Sequence, residues 1–174
     1  MVCTVAWAPP TGDPDRMTTL KESAQEFLAQ RRIAVAGVSR DTKQPANLIY
    51  RRLRDTGHEV FPVNPNAELV EGDTCYPSLQ AIPGAPPDGL VIVTTPQAAL
   101  DVAKDAQAAG VPRVWLHRGM GPGSSSKDAT AFCAEHGMTV IPGGCPCMFG
   151  ETSDVGHRCM RVMLQMTGKV PRTL

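Results

Sequence analysis

The sequence lacks four features, each of which would have placed it in a broad class of protein. Its 17 basic and 17 acidic residues leave no net charge, so no global field favours nucleic acid or an anionic membrane. No apolar run approaches the roughly 20 residues that a bilayer-spanning helix needs. Six cysteines occur without the spacing of a small disulfide scaffold, and the N-terminus has no basic segment typical of an export signal. We therefore expect a cytoplasmic globular protein with reduced thiols that binds neither nucleic acid nor membrane.

We interpret residues 1–16 as a flexible N-terminal tail and residues 17–174 as a single domain, since no repeat and no long linker divides the chain. Buried apolar runs alternate with amphipathic segments, and the five predicted strands are IAVAGV, EVFPV, GLVIVTT, RVWLH and MTVIP. This alternation predicts an α/β fold, namely a Rossmann-like, doubly wound parallel sheet with helices on both faces. We expect the strand order 3-2-1-4-5, with a ligand outside the carboxyl ends of the strands at the switch point.

The loop after the first strand, GVSRDTKQP, has the order of parts that a phosphate site needs. Gly37 allows a tight turn close to a phosphate, and the following helix offers free N–H groups at its N-terminus. Ser39 adds a hydroxyl group, while Arg40 and Lys43 add positive charge. We predict phosphate binding here, and the alternative is a plain strand–helix turn with solvated basic side chains.

The same loop has only the first glycine of the GxGxxG fingerprint of dinucleotide-binding proteins. Asn64 also stands where an acidic residue would hold the ribose hydroxyls of NAD. A neutral amide tolerates a ribose 3′-phosphate, which a carboxylate would repel, and coenzyme A carries that phosphate whereas NAD does not. Thr94 and Thr95 end the third strand before Pro96, and for them ligand binding and helix capping are both open.

Four segments resemble the small single-domain CoA-binding proteins, a family similar to the N-terminal Rossmann-like domain of the succinyl-CoA ligase alpha subunit. They are IAVAGVSRDTKQPANLIYRRLRDTGHEVFPVNPN, YPSLQAIP, GLVIVTTPQAAL and VWLHRGM, and the resemblance spans about residues 20–168. It implies that coenzyme A or an acyl-CoA is held by the glycine loop, the VNP turn and the third-strand loop. The cofactor-binding residues implied on this chain are Gly37, Val38, Ser39, Arg40, Lys43, Asn64, Pro65, Thr94, Thr95 and Pro96.

The resemblance implies CoA binding but no reaction, and we assign no catalytic residue. The ligase alpha subunit carries its phosphohistidine in a second domain, for which this sequence shows no candidate loop. One alternative is an NAD(P)-dependent oxidoreductase with His117 as proton donor. Others are a regulatory protein that responds to CoA or redox state, and an acyl-CoA enzyme that works with a separately encoded subunit. A homodimer or an unidentified protein partner also stays open.

The segment CPCMFGETSDVGHRC contains four residues of types that bind zinc, Cys145, Cys147, His157 and Cys159. If the last helix begins near residue 154, His157 and Cys159 point about 200° apart and cannot share one metal ion. Cys145 and Cys147 follow the fifth strand as ordinary turn residues, or as thiols that form a mixed disulfide with CoA or sense redox state. We therefore expect no metal site.

Overall fold

The computed structural model describes residues 19–121, 123–168, 170 and 173, so the predicted tail at residues 1–16 lies outside the described residues. The helices of this part are α1 (Leu20–Leu28), α2 (Pro45–Asp55), α3 (Pro96–Ala108), α4 (Lys127–Glu135) and α5 (Val155–Met166). The strands are β1 (Arg32–Ala36), β2 (Glu59–Val63), β3 (Leu69–Val70), β4 (Asp73–Thr74), β5 (Gly89–Ile92), β6 (Arg113–Leu116) and β7 (Thr139–Ile141). Among the described helices, none has the length and apolar character needed to cross a membrane.

The five predicted strands form one parallel sheet in the order β2-β1-β5-β6-β7, and helices cover both of its faces. Successive residues of β1 belong to different cores, because side chains alternate across a strand. Ile33 and Val35 pack with α1, α2 and α5, whereas Ala34 and Ala36 pack with α3 and α4. The predicted α/β class and Rossmann-like architecture are therefore confirmed.

The predicted strand order 3-2-1-4-5 is wrong. The third parallel strand, β5, lies beside β1, so the parallel strands follow the order 2-1-3-4-5 and β2 is at the edge. Pro62 of β2 explains why, because a proline has no N–H for a second neighbour and is tolerated on an edge strand. The start of β5 is also fixed to β1, since Asp88 accepts from the Arg32 N–H at 2.8 Å and donates its own N–H to the Arg32 carbonyl at 2.8 Å.

The connection from β2 to β5, predicted only as a turn-rich segment, contains the antiparallel hairpin β3–β4. Its turn has positive φ at both Glu71 (54°) and Gly72 (85°), a conformation that matches the twist of a two-residue hairpin. Ion pairs attach the hairpin to α2: Arg51 lies 2.6 Å from Glu71, and Arg54 lies 2.6 Å from Asp73. The hairpin therefore packs beside the helix that follows the glycine loop.

Helix α5 begins at Val155, close to the start near residue 154 that the sequence predicts, and several of its apolar residues are exposed. Val155 is 76% exposed and Met166 is 75% exposed, while Leu164 on the other side of the helix is 1% exposed. Cys159 is also exposed. The helix therefore packs through Leu164 and the partly buried Met160, and its Val/Met face is turned to the solvent.

Candidate functional site

The loops that follow β1 and β5 meet at the carboxyl edge of the sheet. The chain continues from β1 toward one side of the sheet and from β5 toward the other, so the switch point lies between these two strands. Gly37 has φ of 99°, and a Cβ there would collide with the carbonyl oxygen of Val93. The Gly37 N–H also donates to Val63 at 3.1 Å. A glycine is required here because the backbones after three adjacent strands come together.

The glycine loop is held in shape by Asn47, a fully buried residue of α2. Its side-chain oxygen accepts from the Ser39 N–H at 2.9 Å, and its Nδ2 donates to the Ser39 carbonyl at 2.7 Å. The same Nδ2 donates to Glu71 of the hairpin at 2.8 Å. Sequence reasoning missed Asn47, although a polar residue between the apolar positions Ala46 and Ile49 of one helix was a signal.

Two cations of this loop, Arg40 and Lys43, are exposed, and neither pairs with a carboxylate among the described residues. The arginines further along α2 differ, since Arg51, Arg52 and Arg54 pair with Glu71, Asp154 and Asp73. The N-terminus of α2 therefore combines its partial positive charge with two uncommitted cations.

Asp41 is a second residue that the sequence argument missed. Its carboxylate accepts from the side-chain amide of Gln44 at 2.9 Å and from the Lys43 N–H at 3.1 Å. These hydrogen bonds, the one from Gln44 foremost, lower the pKa of Asp41 below its ordinary value. The loop thus contains one fixed negative charge close to the two cations.

Asn64 connects the turn after β2 to the glycine loop. Its Nδ2 donates to the Val38 carbonyl at 2.6 Å, and its side-chain oxygen accepts from the Asn66 N–H at 2.8 Å. Val38 has its side chain in the core, so only its backbone faces this network. Pro65, the next residue of the turn, is exposed. The ligand contact predicted for Asn64 stays a prediction, and the structure adds a role in joining two loops.

Thr94, Thr95 and Pro96 lie at the end of β5, where the two threonines have different roles. Thr95 is the N-cap of α3, because its hydroxyl accepts from the Ala98 N–H at 3.4 Å, and Pro96 is the first residue of that helix. The Thr94 carbonyl instead accepts from the buried Ser124 hydroxyl at 2.7 Å. This bond attaches the loop after β6 to the switch point.

A family model described as a CoA binding domain matches residues 31–151. The chain belongs to this family. The matched range begins just before β1 and contains every predicted site residue from Gly37 to Pro96.

Two further proteins and one solved structure are similar to this chain. The uncharacterized protein YneT of Bacillus subtilis is 28% identical over 70% of this chain and 87% of its own length. The alpha subunit of an ADP-forming acetate–CoA ligase of Pyrococcus furiosus is 35% identical over 82% of this chain, which spans only 25% of that subunit. The solved structure of a hypothetical protein from Pyrococcus horikoshii is 26% identical, with a TM-score of 0.67 over 80% of this chain and 94% of that one.

In this CoA-binding-domain protein, the loop after β6 contains two buried polar groups without a hydrogen-bond partner among the described residues. They are Nδ1 of His117 and Nε of Arg118. Burial, with a smaller effect of His157, lowers the pKa of His117 to about 4, so its ring is neutral at pH 7. Buried donors and acceptors without a hydrogen-bond partner are unfavourable. This loop is therefore a second place where a ligand can supply hydrogen bonds that the described residues do not.

The two thiols after β7 are buried, Cys145 at 3% exposure and Cys147 at 0%. A hydrogen bond from the Cys145 thiol lowers the pKa of Cys147, and the same hydrogen bond, with burial, raises the pKa of Cys145. Cys133 is also buried, and burial raises the pKa of its thiol to about 11. The mixed disulfide with CoA predicted as one alternative for Cys145 and Cys147 stays a prediction.

Proposed function

We propose that this protein binds coenzyme A or an acyl-CoA in the cleft outside the carboxyl ends of β1 and β5. The observation that carries the proposal is the pair of uncommitted cations, Arg40 and Lys43, at the N-terminus of α2 in a chain that belongs to the CoA-binding domain family. We assign no catalytic residue, so the proposed function is binding.

The pyrophosphate of the ligand would lie against the glycine loop. Gly37 lets the loop pass close to the Val93 backbone, with which a Cβ would collide, and Asn47 fixes the Ser39 backbone in one conformation. A preorganised loop costs less ordering on binding than a mobile one. Arg40 and Lys43 then offset the charge of the phosphates.

The adenosine would lie between the Asn64–Pro65 turn and the start of α3. Helix α3 begins at Pro96 on the same edge of the sheet as α2, so two helix N-termini point toward one cleft. Asn64 offers a neutral amide where an acid would repel a 3′-phosphate. His117 and Arg118, on the neighbouring loop, have the unpaired atoms that a phosphate or the acyl end could engage.

Calorimetric titration with CoA, 3′-dephospho-CoA, NAD and NADP tests the ligand. We expect CoA to bind, and to bind more weakly once the 3′-phosphate is removed. Tighter binding of NAD than of CoA would overturn the ligand assignment, and binding of none of the four would overturn the proposed function.

Charge variants test the site. Arg40→Gln and Lys43→Gln are each expected to weaken CoA binding by roughly tenfold or more, since each loses a hydrogen bond to a charged group. Lys104→Gln is the matched control, because Lys104 is an exposed lysine within α3 that forms an ion pair with Asp101 at 3.8 Å. Equal affinities for all three variants would place the phosphates elsewhere.

A further inference from the structure

Three side chains that can bind a metal converge beside the main sheet, although they come from two separate segments. Cys145 and Cys147 flank the first residue of the 3-10 helix Pro146–Met148, after β7, and His157 lies in the first turn of α5. Their Sγ and ring nitrogen atoms all lie within 4.8 Å of one another. Cys159 is exposed and is not part of the cluster, as its position two residues from His157 predicts.

The frame around these side chains is fixed by hydrogen bonds to the backbone. The buried Trp115 donates its indole N–H to Gly143 at 3.0 Å, and the Arg118 N–H donates to Gly144 at 2.8 Å. Arg161 of α5 reaches back to the Met148 carbonyl at 3.3 Å. The first two contacts attach the cysteine segment to β6 and the loop after it, and the third ties it to α5. None of them involves the three candidate ligands, which leaves a preformed arrangement.

Asp154 orients the histidine of the cluster. Its Oδ2 lies 2.8 Å from Nδ1 of His157, while its Oδ1 accepts from the His157 N–H at 2.9 Å. A proton held on Nδ1 leaves the lone pair of Nε2 for a metal, and carboxylates commonly support metal-binding histidines in this way. Arg52 lies 3.3 Å from Asp154, so the supporting carboxylate is itself paired.

We propose that Cys145, Cys147 and His157 bind one Zn²⁺ ion. Two sulfurs and one imidazole nitrogen are ligands that zinc prefers, and a tetrahedral ion keeps its fourth position for water. Two thiolates balance the charge of the ion, and the Arg52–Asp154 pair is neutral beside it. The inference goes beyond CoA binding and does not depend on it.

The competing state is an internal disulfide between Cys145 and Cys147, which are free in this structure. Such a bond would consume both thiols and leave His157 without metal partners. The two states are distinguishable, because zinc requires the reduced thiols whereas the disulfide lowers the mass of the chain by two hydrogens.

The experiment is a zinc titration of the reduced, chelator-treated protein without oxygen, in competition with a chromophoric zinc chelator. We expect one zinc per chain, and a thiolate-to-metal charge-transfer band when cobalt(II) replaces zinc. Cys147→Ser and His157→Ala should each weaken zinc binding by roughly 100-fold or more. Cys159→Ser, a matched cysteine control on the exposed face of α5, should bind zinc like the wild type.

Asp154→Ser tests the orienting carboxylate. Serine still caps the helix, so α5 should remain intact by circular dichroism, while zinc affinity should fall by roughly 10- to 100-fold with the cobalt charge-transfer band retained. Absence of stoichiometric zinc binding by the reduced wild type would overturn the proposal, whether or not the disulfide then forms. Zinc binding that survives in both Cys147→Ser and His157→Ala would overturn it as well.

Discussion

Asn47 satisfies both backbone polar groups of Ser39, accepting from its N–H at 2.9 Å and donating to its carbonyl at 2.7 Å. The same amide donates to Glu71 at 2.8 Å. One fully buried side chain therefore joins the glycine loop, helix α2 and the β3–β4 hairpin. Replacing it affects stability and ligand binding together, because the Ser39 backbone loses the partner of both its polar groups and the Glu71 carboxylate keeps only Arg51 among the described residues.

Asn47→Ala is expected to lower the free energy of unfolding by about 1–3 kcal/mol, the cost of leaving buried polar groups unsatisfied. It should also weaken CoA binding, since the Ser39 backbone is no longer held. Urea denaturation and calorimetry measure the two effects. Gln107→Ala, which removes an exposed amide from α3, is the control and should change neither quantity. An Asn47→Ala protein with wild-type stability would contradict the bracing role.

Replacing a glycine of positive φ by alanine can destabilise the fold through backbone strain and through steric collision of the added Cβ. Comparing Gly37→Ala with Gly57→Ala separates the two effects. Gly57 provides the comparison, because its φ of 89° is similar to the 99° of Gly37, yet no atom of the described residues beyond its chain neighbours lies within 4 Å of a Cβ placed there. Gly57→Ala should cost about 1–2 kcal/mol from the left-handed conformation alone.

Gly37→Ala should cost a further 1–3 kcal/mol or so, because its methyl group collides with the backbone of Val93. It should also abolish CoA binding, whereas Gly57→Ala should retain it. Thermal unfolding and calorimetry on both variants check this. Equal destabilisation by Gly37→Ala and Gly57→Ala would mean that the loop after β5 moves aside. The close approach of the two backbones would then not be required for CoA binding.

The local patterns of the sequence predicted the helices and the parallel strands because each depends on neighbouring residues. Pro45 and Pro96 both begin helices, and the apolar run at Ile33 is buried on both faces. The order of the strands depends on contacts between distant segments, and here the prediction failed. Pro62 is the sequence signal for the observed order, since a strand with a proline suits the edge that β2 occupies.

For the candidate site, the sequence predicted which residues follow the strands, and their contacts with a ligand stay predictions. The exposure of Arg40 and Lys43 agrees with the motif, and Gly37 lies where the loops meet. Asn47 and Asp41 were missed because their roles depend on hydrogen bonds to backbone groups that no spacing rule specifies. The sequence argument against a metal site depended on the positions of His157 and Cys159 on one helix. In the structure Cys145, Cys147 and His157 come together without Cys159.

Asp41 places a negative charge in the loop that we expect to bind phosphates. Hydrogen bonds from Gln44 and the Lys43 N–H hold its pKa low, so it is ionised at neutral pH. Asp41→Asn keeps an acceptor for the Lys43 N–H but removes the repulsion between the carboxylate and a phosphate bound to the same loop. CoA should then bind about fivefold more tightly at low salt, with a smaller gain at high salt.

Calorimetry at two ionic strengths measures the gain in CoA affinity of Asp41→Asn. Asp55→Asn, at the opposite end of α2, is the charge-matched control and should leave the affinity unchanged. Weaker binding by Asp41→Asn would show that the carboxylate instead holds the loop in its binding conformation.

His117 makes stability depend on pH in a definite direction. Burial keeps its pKa at about 4 in the folded state, against an ordinary value of 6.5 in the unfolded chain. Above pH 6.5 both states are neutral, so its contribution is fully present. As the pH falls from 6.5 to 4 the unfolded state takes up a proton that the folded state excludes, which removes about 3 kcal/mol of stability.

His117→Asn should therefore flatten the dependence of the free energy of unfolding on pH between 6.5 and 4, whatever its stability at neutral pH. Urea denaturation across this range in the presence of a chelator measures the slope. His136→Asn, which removes an exposed histidine at the end of α4, should keep the wild-type slope. Equal slopes for wild type and His117→Asn would mean that the ring takes up a proton in the folded protein. A phosphate bound beside His117 would then face a positively charged imidazolium, and the loop after β6 would attract it electrostatically. A neutral His117 ring can act only as a hydrogen-bonding group.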